Sequence, residues 1–376
     1  MELSEIGGIS SKGEFLGSGE IPWRSAPGLA ACVEEPDARR FCELLVERVT
    51  AFLALHHARW SDVKVLGVPF PGPSHGDSWY SNNLTQAFTT GVALKHELRL
   101  AISRASAYVP PVGVTLDAQC DAGGELYHER GILFGDKDKA AVLNIATGIA
   151  AGFVSNGHVV VGDVDFQTYV GSDFDAGAGQ MGRHLWFISD SQQWTYIYRP
   201  RGEVAKDIDG LRMTERLSGP ALATRLVLRL KAHGLLHEVA PCLGCHTQLF
   251  EQHTHLTSEM VGIVRSLPRR AVVGLLEWAN DMLIKQTGTV SNVVAQYCDE
   301  LADELASALK TWLAVPAWRP FGRRIVLTGG VGIHFLSGTN RFLDRLRLSL
   351  PTSEIERSRL LGATERECYL FLRQRI

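Results

Sequence analysis

The order of elements in one N-terminal stretch constrains this chain most. From Asp37 to Trp60 the apolar residues Phe41, Leu44, Leu45, Val49, Phe52 and Leu55 recur at helical spacing, which predicts an amphipathic helix. Residues 63–70, VKVLGVPF, follow as a buried strand that ends in the turn-rich PFPGPSHGD. Helix, strand and Gly/Pro loop in that order make an α/β unit whose loop leaves the strand's carboxyl end, where ligands collect in open α/β sheets. The same grammar recurs downstream. Residues 91–104 read as helix, and 112–117, VGVTLD, as a strand ending on an acid. Residues 140–145 and 152–161 read as strands on either side of a small-residue turn, with Asn156-Gly157 as a hairpin signal. Residues 214–234 and most of 257–314 read as helix, and 323–328, RRIVLT, as a strand running into Gly329-Gly330-Val331-Gly332. Residues 13–23, GEFLGSGEIPW, carry the alternation of a short hairpin.

A chain of 376 residues outgrows a single hydrophobic core, so two domains are expected. The boundary is placed between a smaller N-terminal α/β lobe, 1–115, and a larger one, 116–376. A net charge of −3 gives no pull toward nucleic acid or an anionic membrane. No apolar run reaches transmembrane length, and MELSEIGG lacks the basic and apolar regions of a signal peptide. Seven scattered cysteines, an odd number without an export signal, read as reduced thiols and a cytoplasmic location.

A series of segments then matches a known pattern in order. They are GVPFPGP at 67–73 with Asn83-Leu84, LDAQCDAGGE at 116–125 and LNIATGIAAGFVSNGHVVVG at 143–162. GQMGRH at 179–184 with ERLSGPAL at 215–222, then IVLTGGVG at 325–332 with SRLLGA at 358–363, complete the series. This series resembles the sugar kinases of the ROK (repressor, open reading frame, kinase) family. The resemblance implies a two-lobed actin-like ATPase (ribonuclease H-like) α/β fold with a ligand cleft between the lobes. The implied activity is ATP-dependent, Mg2+-assisted phosphorylation of a sugar, aminosugar or cyclitol hydroxyl. Many relatives dimerise; whether this chain forms a homodimer is open. The family's repressors carry a helix-turn-helix ahead of this body. Here the body begins almost at Met1, which argues against a DNA-binding regulator.

Carried over residue by residue, the resemblance makes Asp117 the catalytic base, since a carboxylate can orient a hydroxyl and take its proton late in a loose transition state. Read from the residues alone, Asp117 equally suits a helix cap, and Asp121 is a second carboxylate one turn away. Sugar contacts are expected at Asn83, Gln180, His184 and Glu215. Gln180 stands where the family has glutamate, and the family's "N-D-A-N-A-A-A-x-G-E" becomes Leu116-Asp117-Ala118-Gln119-Cys120-Asp121-Ala122 and onward. Phosphates are expected on the small-residue turn Thr147-Gly148, on Gly329 and Gly330, and on Gly7 and Gly8. The last pair lies in Glu5-Ile6-Gly7-Gly8-Ile9, which lacks the threonine of the family's "D-x-G-G-T". These departures leave a second reading open: a pseudokinase that binds a sugar-like ligand without using ATP.

The family's zinc motif is missing from 185–214. Cys242, Cys245 and His246, followed by His253 and His255, have the close spacing of a structural zinc site. The same string also reads as reduced thiols and exposed histidines in a loop.

Overall fold

The computed structural model describes residues 3–9, 15–22, 38–70, 72, 74–75, 77–80, 88, 90–146, 148–160, 185–190, 193–198, 211–244, 247–251, 253–257, 260, 269–335 and 339–360. In chain order the elements begin with β1 (Leu3–Ile9), β2 (Phe15–Pro22), α1 (Ala38–Leu55), β3 (Leu66–Phe70), β4 (Ser74–His75), β5 (Ser78–Trp79) and α2 (Leu94–Ala105). There follow β6 (Val112–Leu116), α3 (Asp117–Tyr127), β7 (Ala140–Ile145), β8 (Ile149–Ser155) and β9 (His158–Val159). Next come β10 (Leu185–Asp190), β11 (Gln193–Tyr198), α4 (Met213–Leu217), α5 (Gly219–Ala232), α6 (Ala240–Leu243) and α7 (Thr247–Glu251). The series closes with α8 (Arg269–Lys285), α9 (Gly288–Ala314), β12 (Arg324–Thr328), α10 (Gly329–His334), α11 (Arg341–Ser349) and β13 (Glu354–Arg357).

Two compact units form. One comprises Met1–Asp136, Gly157–Asp165 and Leu360–Ile376; the other comprises Lys137–Asn156 and Phe166–Arg359. The first unit therefore runs to Asp136, whereas the sequence placed the boundary at 115. The reason is packing: α3 lies against β3 and β6, so the helix stays with the strands that bury it.

In the first unit β3 and β6 pair in parallel from Leu66 opposite Val112 to Phe70 opposite Leu116. Helices α1 and α2 pack on each other, and Phe41, Leu44, Val46, Leu94, Leu98 and Ile102 form a core with Phe70 and Phe88. Phe88 meets both Phe41 and Phe70, with ring centroids 5.2 and 5.3 Å apart. The expected helix stops at Leu55, before Trp60, because His57 turns to φ 53°. The hairpin expected within 13–23 spans a longer stretch. Strand β1 pairs antiparallel with β2 from Leu3 opposite Pro22 to Gly8 opposite Gly17, and the register shifts between Gly8 and Ile9.

In the second unit β7 lies at the centre. It pairs antiparallel with β8 and parallel with β12, which in turn pairs in parallel with β13. Strands β7, β8 and β12 are buried almost throughout, which explains their continuous apolar runs. Phe153 on β8 packs among Trp312, Trp318 and Phe321, at centroid distances of 5.8, 5.1 and 4.9 Å. On α11, Arg341 forms a two-pronged pair with Asp299 of α9 and Arg345 one with Asp303, registering the two helices.

Candidate functional site

Asp117 stands where β6 ends and α3 begins. Helix α3 is buried on nearly every side from Ala118 to Leu126, and Ala118, Ala122, Gly123 and Gly124 let it pack closely. Asp117, Asp121 and Glu125 recur at a spacing of four, so they share one face of that helix. Asp121 and Glu125 are fully buried. Glu125 Oε2 accepts the Ile132 N–H at 2.9 Å and thereby folds the following loop back onto the helix. Asp117 Oδ1 accepts the N–H of its neighbour Ala118 at 2.8 Å, but the N-cap of the helix is Leu116, so Asp117 is not its cap. Burial, reinforced by the Asp121 carboxylate, raises the Asp117 carboxyl to about 6 against that hydrogen bond. A carboxylate with this proton affinity suits proton abstraction near neutral pH better than an ordinary aspartate does.

In the second unit, separate parts of the sequence meet at the turn between β7 and β8. Ala146 N–H donates to the Gly148 carbonyl at 2.9 Å, closing the turn. Gly219 N–H, at the start of α5, donates to the Ala146 carbonyl at 2.7 Å. Gly329, opening α10 after β12, has φ +89°, and a Cβ there would stand 2.6 Å from the Ile145 carbonyl oxygen. Only glycine allows both that backbone and that approach. Ser218 and Thr328, the residues immediately before these glycines, are buried, and their hydroxyls make no hydrogen bond to any described residue. Gly330 is the half-buried second residue of α10, and Gly148 is exposed. Thr147 lies outside the described residues.

Gly7 and Gly8, expected to hold phosphate, lie within a strand. Both residues pair within β1, opposite Ser18 and Gly17. Glu215 is committed locally, since its Oε2 accepts the Arg212 N–H at 2.8 Å and caps α4. Asn83, Gln180, His184, Cys245 and His246 lie outside the described residues. Cys242 packs α6 against α8, its Sγ 4.0 Å from the Gly274 carbonyl, and burial pushes its thiol up. That environment favours the thiol over the thiolate a metal needs. Among the described residues no group of histidine, cysteine and acidic side chains could hold a metal. The end of α7 is gathered by an ammonium: Lys231 Nζ donates to the carbonyls of Phe250, Glu251 and, just beyond the helix, His253 at 2.9, 2.6 and 3.0 Å.

A charged cluster that the sequence reading missed lies beside α5. Glu304 of α9 is fully buried and accepts from Tyr196 Oη at 2.7 Å and from Arg225 at 2.7 Å, while Arg216 donates to both of its oxygens. Burial alone would raise the Glu304 carboxyl, but Arg225 and then Arg216 outweigh it and hold the group below its usual range. Arg216 also lies 3.7 Å over the Phe187 ring. The signal was present: Glu304 shares the helical stripe of Tyr297, Leu301 and Ala308, a charge on a buried face. Ser218 before Gly-Pro and Thr328 before Gly-Gly were likewise visible as helix-start residues.

This arrangement belongs to a known architecture. The chain has the α/β actin-like ATPase fold, and solved structures that share it come from the ROK family. One is a ROK family glucokinase from Streptomyces griseus in complex with glucose and AMPPNP (16% identity, TM-score 0.54, covering 98% of each chain). Another is a ROK family protein from Streptococcus pneumoniae TIGR4 in complex with sucrose (13% identity, TM-score 0.56, covering 99% of this chain and 95% of that one). A third is a ROK family transcriptional regulator, a homolog of the E. coli MLC protein (15% identity, TM-score 0.55, covering 99% of this chain and 76% of that one). No family model matches the sequence, and no curated protein matches it. No helix among the described residues is long and apolar enough to cross a membrane.

Proposed function

We propose that this protein is a divergent ROK-type kinase that transfers the terminal phosphoryl group of ATP to a hydroxyl of a sugar, aminosugar or cyclitol. The observation that carries the reading is Asp117: a carboxylate at a strand end, raised toward neutrality, on a helix whose other acids are sealed. Asp117 takes the proton of the attacking hydroxyl, whose electron pair stays on the oxygen that bonds to phosphorus. The residues at the β7–β8 turn fit a nucleotide. Gly219 and Gly329 draw three segments together at this turn, and the Ser218 and Thr328 hydroxyls there have no partner among the described residues, which a polar ligand would supply. When bound, ATP with Mg2+ provides the phosphoryl group and neutralises its charge. The kinase-type neighbours, one of them crystallised with glucose and AMPPNP, support the same reading.

A pseudokinase that keeps the sugar site without using ATP is the second reading, and one observation favours it. Gly7 and Gly8 are spent in a strand ladder, and the sequence there lacks the threonine that would face a phosphate. Calorimetry with Mg-ATP separates the two. Coupled ADP release over a panel of sugars, aminosugars and cyclitols then identifies the acceptor. On the kinase reading Asp117→Asn lowers turnover by about 10²- to 10⁴-fold. Absence of ATP binding, with no ADP released on any acceptor, defeats the kinase reading and leaves the second.

A further inference from the structure

The pattern that this chain resembles has alanine where Asp121 stands, so the carboxylate there is a feature of this protein. An acid fully buried on a helix is costly to keep. Asp121 lies one turn beyond Asp117 on the same face of α3, the geometry in which side chains meet. Two carboxylates so placed, one of them out of water, resist ionising together. We propose that Asp121 is a positioning residue for Asp117, present to strengthen it as a proton acceptor. This rests on the reading of Asp117 as the base.

Asp121 is the charge that raises the Asp117 carboxyl, second only to burial. Of the elements packed against α3, β3 and β6 carry no titratable side chain, and β9 carries only His158, which is exposed. On α3 itself the remaining groups are Cys120, Glu125 and Tyr127, with Glu125 occupied by the Ile132 N–H. The Ala118 N–H acts in the opposite sense, stabilising ionised Asp117. Asp121, on the same face one turn away, is thus placed to oppose the ionisation of Asp117.

The test reads the Asp117 carboxyl directly, by carbon-detected NMR titration of protein labelled at aspartate Cγ, with Asp117→Asn used for assignment. The wild-type midpoint is expected near 6, as its surroundings dictate. In Asp121→Asn, which keeps hydrogen-bonding shape but removes charge, it is expected to fall by about one pH unit, with Asp121→Ala as the second variant. A wild-type midpoint near the ordinary aspartate value of about 4 overturns the proposal without any variant. So does a midpoint unmoved in a folded variant. If the protein is a kinase, the acid limb of its kcat profile moves down in pH with the carboxyl. A midpoint that falls in a protein without phosphoryl transfer sustains the pairing and sinks the kinase reading. An unmoved midpoint in an active enzyme does the reverse.

Discussion

At the scale of single residues, Asp117 couples function to stability with a definite sign. Its folded carboxyl is raised to about 6, above the ordinary value near 3.9, so folding favours the protonated form. Its contribution is therefore fully present below pH 4 and is lost as pH rises through 6. Asp117→Asn removes the group that ionises, so the variant should melt higher than wild type at pH 8, with the gap closing toward pH 4. Each tenfold of proton affinity is worth about 1.4 kcal/mol, which caps the gain at roughly 3 kcal/mol. Thermal or urea melts at pH 4, 6 and 8 check it; a gap that does not change with pH would show that Asp117 titrates normally. Gain in stability with loss of turnover would mark the side chain as held for chemistry.

At the scale of elements, the junction beside the β7–β8 turn makes opposite forecasts for neighbouring positions. Gly329→Ala places a Cβ against the Ile145 carbonyl and forces a side chain into a left-handed backbone. A loss of about 1–3 kcal/mol in urea unfolding is expected. Ser218→Ala removes a buried hydroxyl without a partner among the described residues, so the free protein should be unchanged or more stable by up to about 1 kcal/mol. The same change should weaken Mg-ATP binding if that hydroxyl serves a nucleotide. A Ser218→Ala protein clearly less stable without ligand would mean the hydroxyl is already satisfied inside the fold. The strand-to-glycine transitions at Asn144 to Gly148 and Thr328 to Gly330 were legible because a buried strand and a glycine turn leave opposite compositions. What converges on them was not, because Gly219 reaches the Ala146 carbonyl from far along the chain.

At the scale of the molecule, the second unit is tied together by a buried charge. Glu304 links α9 to the β10–β11 hairpin through Tyr196, to α4 through Arg216 and to α5 through Arg225. Glu304→Gln leaves two guanidinium groups without their anion, at a cost of about 3–5 kcal/mol. Because the Glu304 carboxyl is lowered, its contribution is present above pH 4.5 and is lost as pH falls through its folded value. Hydrogen exchange should show faster opening of β10, β11 and α9 in the variant, while α1, α2 and β6 of the first unit keep their protection. Equal acceleration in both units would mean that they unfold as one cooperative body.

Local order settled much of this protein in advance. Periodicity placed α1, β3, β6, β7 and β12, since alternating and helical patterns register burial directly, and the ordered motifs pointed to the actin-like fold. Asn156-Gly157 was readable as a turn because few residue pairs tolerate positive φ at both positions, as these do at 55° and 77°. Tertiary structure alone decided that Gly7 and Gly8 pair with Ser18 and Gly17, and that α3 stays with the first unit. It also decided which acids lose their water. Spacing put Asp121 one turn from Asp117, but a carboxylate's proton affinity depends on solvent and neighbouring charge, and those are fixed only when distant segments close around it.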